Sequence, residues 1–208
     1  MNDPILRERE LSDTDRWLRS YYTLRAAISL VWVAAAVTLG PKSSMIAGAL
    51  LLIYPAWDAV ANLVDARQNG GLRRSPTQVF NAVVSMVTTG AVAVGLAASL
   101  NAVLGVFGVW AALSGLLQLA TAVGRWKHAG AQWLMIVSGV QSAAAGAMFL
   151  HEAGAAGSPG VADIAPYAAF GAFYFLVSAL WLIVAAKRAG RAGAPTRAAA
   201  EQGYRSGS

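Results

Sequence analysis

The sequence predicts an all-α, polytopic membrane protein with six transmembrane helices arranged as three hairpins. Three observations point there. Of 208 residues, 57% are hydrophobic and only 12% charged, and the mean hydropathy is +0.51. A soluble domain carries about 25% charged residues, so half the usual charge is missing. Six apolar stretches are each long enough to cross a bilayer. The basic residues all but one fall on the same side of those stretches.

A hydrocarbon core about 30 Å thick takes roughly 20 residues of helix at about 1.5 Å per residue. Residues 22–40, 44–64, 77–98, 101–123, 131–150 and 164–186 meet that length. Turn and charge signals separate them: Pro41-Lys42, the Asp65-to-Pro76 segment, Ser99 to Asn101, Arg125 to Gly130, and the Gly-rich run from His151 to Gly160. Pro76 suits the first turn of the third helix, where its missing N–H costs nothing. The short breaks after the first and third spans predict antiparallel pairs.

Residues 1–21 are expected to form a cytoplasmic segment with a helix at the membrane surface, over about 5–23. Ser12 and Asp15 would cap that helix, and Trp17, Tyr21 and Tyr22 suit the headgroup layer. A cleavable signal is excluded, because its leading region would be long and would contain Asp3, Glu8, Glu10, Asp13 and Asp15. Residues 22–186 make the membrane domain. Residues 187–208 lack a periodic apolar face and are expected to be a disordered cytoplasmic tail.

Orientation follows from Lys and Arg. Arg7, Arg9, Arg16, Arg19 and Arg25 precede or open the first span; Arg67, Arg73 and Arg74 follow the second; Arg125 and Lys127 follow the fourth. Lys187, Arg188, Arg191, Arg197 and Arg205 follow the sixth. Fifteen therefore share one side and Lys42 stands alone on the other, which predicts cytoplasmic termini. The net charge of +6 is thus a set of collars suited to anionic lipid. No nucleic-acid partner is expected, since no basic stripe is interleaved with aromatics.

The chain has no cysteine, which removes disulfides, thiolate metal sites and thiol nucleophiles. Its two histidines, His128 and His151, fall on opposite sides of the membrane, so no His pair is expected to bind a metal. No Gly-x-Ser-x-Gly, His-Glu-x-x-His or phosphate loop is present. No enzymatic activity, catalytic residue or cofactor is expected.

Internal echoes are visible. Phe107–Arg125 (FGVWAALSGLLQLATAVGR) and Phe170–Arg188 (FGAFYFLVSALWLIVAAKR) share a Phe-Gly start and a basic end, while Ser138-Gly139-Val140-Gln141 echoes Ser114-Gly115 followed by Gln118. The stretch from Leu104 to Phe149 resembles the HdeD-like membrane proteins, which are built from short repeated helical segments with Ser-Gly-x-x-Gln motifs. That resemblance covers spans four and five well, and spans two, three and six less closely. It implies a bacterial inner-membrane protein with six helices and no known enzyme activity. The family's namesake is associated with acid resistance.

Polar side chains inside a span are the default functional candidates. Asp58 lies about two turns inside the cytoplasmic end of span two, on one face with Asn62 and Asp65. Pro55, just before it, is expected to loosen the backbone and free a carbonyl. Arg25, Asn81, Gln118, Gln78 and Gln132 fall at comparable depth, and Asp58, Arg25, Asn62, Asn81 and Gln118 form the candidate intramembrane site. Two readings stand side by side. Arg25 pairs with Asp58 while the amides fix helix register, or the set lines a cytoplasm-facing vestibule that takes a proton or ligand. The second reading describes a small proton-coupled transporter or channel, which at this size would need to form a homo-oligomer. Small residues on spans four and five, Ala111, Gly115, Ser138, Ser142 and Gly146, are expected to let helices approach closely. Trp57 and Trp110 are read as packing residues.

Overall fold

A computed structural model describes the backbone of residues 4–68, 70–124 and 132–206, and the side chains of 16–68, 70–120 and 136–188. Among the described residues there are six α-helices, two 3-10 turns and no strand. The helices are α1 (Pro4–Thr38), α2 (Ser44–Gln68), α3 (Pro76–Ala98), α4 (Leu100–Gly124), α5 (Gln132–Ala153) and α6 (Ala165–Ser206). Five described segments are long and apolar enough to cross a membrane: Arg16–Lys42, Ser44–Gln68, Pro76–Ala98, Leu100–Ala120 and Val161–Arg188. The expected side-chain cap at Ser12 and Asp15 and the side chain of Gln132 lie outside the described residues.

Two differences from expectation concern the ends. The surface helix and the first span are one uninterrupted helix of 35 residues. At the other end, the helical backbone runs on to Ser206, through the tail expected to be disordered for want of a periodic apolar face. Residues 187–206 are rich in Ala and Arg, both strong helix formers. Hydropathy measures affinity for lipid and is blind to that propensity.

The chain forms two compact units, residues 29–170 and residues 1–28 with 171–208. In the first, α2 packs on α3, α3 on α4, and α4 most extensively on α5. Its core gathers Trp32, Leu51, Val92, Val103, Phe107, Trp110, Phe149 and Ile164. Trp32 donates its indole N–H to the Leu50 carbonyl at 2.8 Å and lies 4.6 Å from the Tyr54 ring. In the second unit, Tyr22 stacks on Phe175 at 6.2 Å, and the Arg25 guanidinium sits 4.2 Å from the centre of the same ring.

The α4–α5 contact is backbone against backbone. A Cβ placed on Gly115 would meet the Gly139 carbonyl at 2.5 Å and the Ala143 nitrogen, and one on Gly146 would meet the Gly108 carbonyl at 2.6 Å and the Ala112 nitrogen. One on Gly108 would meet Leu150 at 2.8 Å, and one on Gly139 would meet Leu119 at 2.9 Å. These contacts are reciprocal. Gly108, Ala112, Gly115 and Leu119 on α4 occupy the same roles as Gly139, Ala143, Gly146 and Leu150 on α5, thirty-one positions later. The shared pattern is Gly-Val-x-x-Ala-x-x-Gly-x-x-x-Leu, and the contact is isologous in the manner of a two-fold dimer. The repeat register is thus Gly108 with Gly139, in place of the Ser114-Gly115 and Ser138-Gly139 echo.

The α2–α3 turn is built by two glycines with φ of 91°. Gly70 takes the left-handed position after α2, and the Gly71 N–H closes back on the Ala66 carbonyl at 3.1 Å, a Schellman arrangement. The Ser75 hydroxyl donates to that same carbonyl at 3.4 Å.

Candidate functional site

Asp58 is the centre of a hydrogen-bonded cluster that ties three helices. On its own helix, Asn62 Nδ2 donates to Asp58 Oδ2 at 2.9 Å, and also to the Asp58 carbonyl at 2.9 Å. From α3, the Ser85 hydroxyl donates to Asp58 Oδ2 at 2.7 Å. From α4, the Trp110 indole N–H donates to Ser85 Oγ at 3.2 Å. The direction is fixed by what each group carries. An indole nitrogen only donates, and a serine has one proton to give. Donation therefore runs Trp110 to Ser85 to Asp58, and the carboxylate receives it.

Local sequence explains the placement. Asn62 stands one turn after Asp58 on the same helical face. Pro55 is buried inside α2 and has no N–H to give the Leu51 carbonyl. Ser85 is buried in α3 and faces α2 while Phe80, Val83, Met86 and Val87 on the same helix are exposed. Trp110 is held edge-on to Tyr54 at 5.7 Å and to Tyr167 at 6.2 Å, which aims its N–H at Ser85.

A second polar node lies beyond Trp110. Ser142 donates to the Ala111 carbonyl at 2.9 Å and shares a 3.1 Å hydrogen bond with the Tyr167 hydroxyl. Since the serine proton is committed to Ala111, Tyr167 is the donor in that pair. Ser142 thus joins the α4–α5 seam to the first turns of α6.

Of the five expected site residues, the structure joins Asp58 and Asn62. Asn81 lies one turn before Ser85 on α3, and Gln118 two turns after Trp110 on α4. No hydrogen bond links either amide to Asp58 among the described residues. Arg25 belongs to the unit of residues 1–28 and 171–208, where it donates to the Tyr21 hydroxyl at 3.1 Å and lies against the Phe175 ring. Ser85 was not singled out by sequence, and Trp110 was read as packing alone. One signal for Trp110 existed: a buried indole N–H needs an acceptor. Ser85 could not be told from Thr88 and Thr89, whose hydroxyls bond the Val84 and Ser85 carbonyls on their own helix at 2.9 and 2.8 Å.

Apolar membrane-length helices around a buried polar tie define a multi-pass helical membrane protein. Within it, residues 80–151 match the family model described as a short repeat of unknown function, DUF308. This family is typical of HdeD-like membrane proteins, in agreement with the resemblance carried by Leu104–Phe149, and the match takes in most of α3 and all of α4 and the α4–α5 seam. Neither the curated proteins nor the solved structures gave a match to the chain.

Proposed function

We propose that the chain is a non-enzymatic protein of the bacterial inner membrane that contributes to acid or stress resistance through a tightly packed helical domain. In this reading the membrane domain has six spans in three hairpins. α5, with 22 residues, is the remaining span and both termini are cytoplasmic. The observation that carries the reading is the short repeat over residues 80–151, the segment that forms the backbone-to-backbone contact of α4 and α5. Asp58 then serves as an internal acceptor that fixes the register of α2, α3 and α4, because the donors from Asn62 and Ser85 already converge on one of its oxygens.

The test is acid survival of a strain lacking the gene, complemented with wild type or with Asp58→Asn at matched membrane levels. Rescue by both is the expected result. Rescue by wild type alone would favour the other reading, a small proton-coupled transporter or channel working at a cytoplasm-facing polar site around Asp58. No acid phenotype on deletion would remove the stress role.

A further inference from the structure

We infer that the α2–α3 turn is a binding site for the phosphodiester of an anionic lipid headgroup, held by Arg67, Arg73 and Arg74. The inference rests on the cytoplasmic placement of this turn proposed above, and it goes further by assigning a ligand to three particular residues. All three are exposed. Their guanidiniums make no hydrogen bond, ion pair or ring contact among the described residues, in contrast to that of Arg25, which is engaged by Tyr21 and Phe175.

The turn that carries them is ordered. Gly71 and Ser75 both close on the Ala66 carbonyl, and the Arg74 N–H donates to the Gly71 carbonyl at 3.1 Å. The stem of Arg74 lies over Gly70, where an added Cβ would come within 3.2 Å of its Cδ. Arg73 and Arg74 therefore leave this hydrogen-bonded turn, and Arg67 leaves the last turn of α2 that enters it. Arg is suited to phosphate because its planar fork donates two parallel N–H bonds.

Local electrostatics add to this. The first turn of α3 holds no acidic residue, and the Ser75 side chain, which would ordinarily cap it, is spent on Ala66. The positive end of α3 therefore adds to the charge of Arg73 and Arg74. Lipid phosphate is the anion present in quantity at that depth, and each basic residue near such a surface adds to the attraction.

The experiment uses the full chain in nanodiscs of phosphatidylcholine with increasing phosphatidylglycerol, with retained lipid counted by native mass spectrometry on release. The triple variant Arg67→Gln, Arg73→Gln, Arg74→Gln is expected to retain phosphatidylglycerol about tenfold more weakly or worse. The pair Lys187→Gln, Arg188→Gln, removing charge at α6, should change little. Equal loss in both variants would show diffuse attraction and overturn the site, as would unchanged retention in the triple variant. Displacement of the lipid by millimolar inorganic phosphate would assign the turn to a free anion instead, and would overturn the lipid assignment. The cytoplasmic reading is tested separately. Gln68→Cys, in a chain with no cysteine, should react with an impermeant maleimide only after the inner face is opened. Labelling from outside would remove the topology while leaving the retention result to stand by itself.

Discussion

Ser85 holds the cluster together by giving its proton to Asp58 and its lone pair to Trp110. Ser85→Ala therefore removes one interhelical bond and strands a buried indole N–H. Bonds between membrane helices average about 0.6 kcal/mol, and an orphaned donor adds about 1–3 kcal/mol. The expected loss is about 2–4 kcal/mol in reversible unfolding in mixed micelles. Thr88→Ala breaks only a bond to its own helix and should cost less than about 0.5 kcal/mol. Trp110→Phe keeps most of the ring packing and removes the donor, so combining it with Ser85→Ala should be less than additive. Asp58 and Asn62 were legible in the sequence because a carboxylate and an amide are costly in an apolar helix. Ser85 was not, since hydroxyls satisfy themselves on their own helix and only the fold shows which one turns outward to a neighbour. Gln118 and Asn81, chosen on depth, make no hydrogen bond to Asp58 among the described residues. Similar depth in the membrane does not bring side chains together.

Helix boundaries were close to those expected: the apolar stretches 44–64, 77–98, 101–123 and 131–150 correspond to α2, α3, α4 and α5. Prolines and polar breaks mark those ends physically, since each break needs turn chemistry and water for its backbone. The first and last helices overran their spans: α1 takes in the stretch expected at the membrane surface, and α6 continues through Gly190, Gly193 and Pro195. The α4–α5 seam gives the prediction at this scale. Gly115→Leu or Gly146→Leu places side-chain atoms against the backbone of the facing helix and should cost more than about 2 kcal/mol or abolish folding. Gly90→Ala, where an added Cβ meets nothing within 4 Å, should leave unfolding unchanged or gain a few tenths of a kcal/mol. A second comparison isolates the turn. Gly70→Ala, at φ of 91°, should destabilise by about 1 kcal/mol, and Gly71→Ala likewise, although Gly71 has open space around its Cα.

For the molecule as a whole, the asymmetry of basic residues gives a topology that can be checked residue by residue. Lys42→Cys is expected to label from outside intact cells, and Lys187→Cys only once the inner face is exposed. Moving the bias should move the chain: three arginines added beside Lys42, with Arg67, Arg73 and Arg74 neutralised, should yield a mixed population of orientations by protease protection. Composition alone placed this protein in a bilayer, because few other environments accept so little charge. Its packing was beyond reach of composition, since apolar helices resemble one another and only the placement of small residues decides which faces meet.

The reciprocal glycine contacts of α4 and α5 have a consequence for ancestry. A helix that mates with an inverted equivalent of itself needs no second sequence to complete the pair. One peptide, inserted across the bilayer in both directions, would have found its own partner, and the hairpin stores that single packing solution twice in one gene. The two segments differ elsewhere, α4 carrying Trp110 where α5 carries Gln141, while Gly108, Ala112, Gly115 and Leu119 match Gly139, Ala143, Gly146 and Leu150. Replacing the α5 residues of this motif with those of α4 keeps every glycine, alanine and leucine of the contact and should preserve it, although the Ser142 bond to the Ala111 carbonyl is given up.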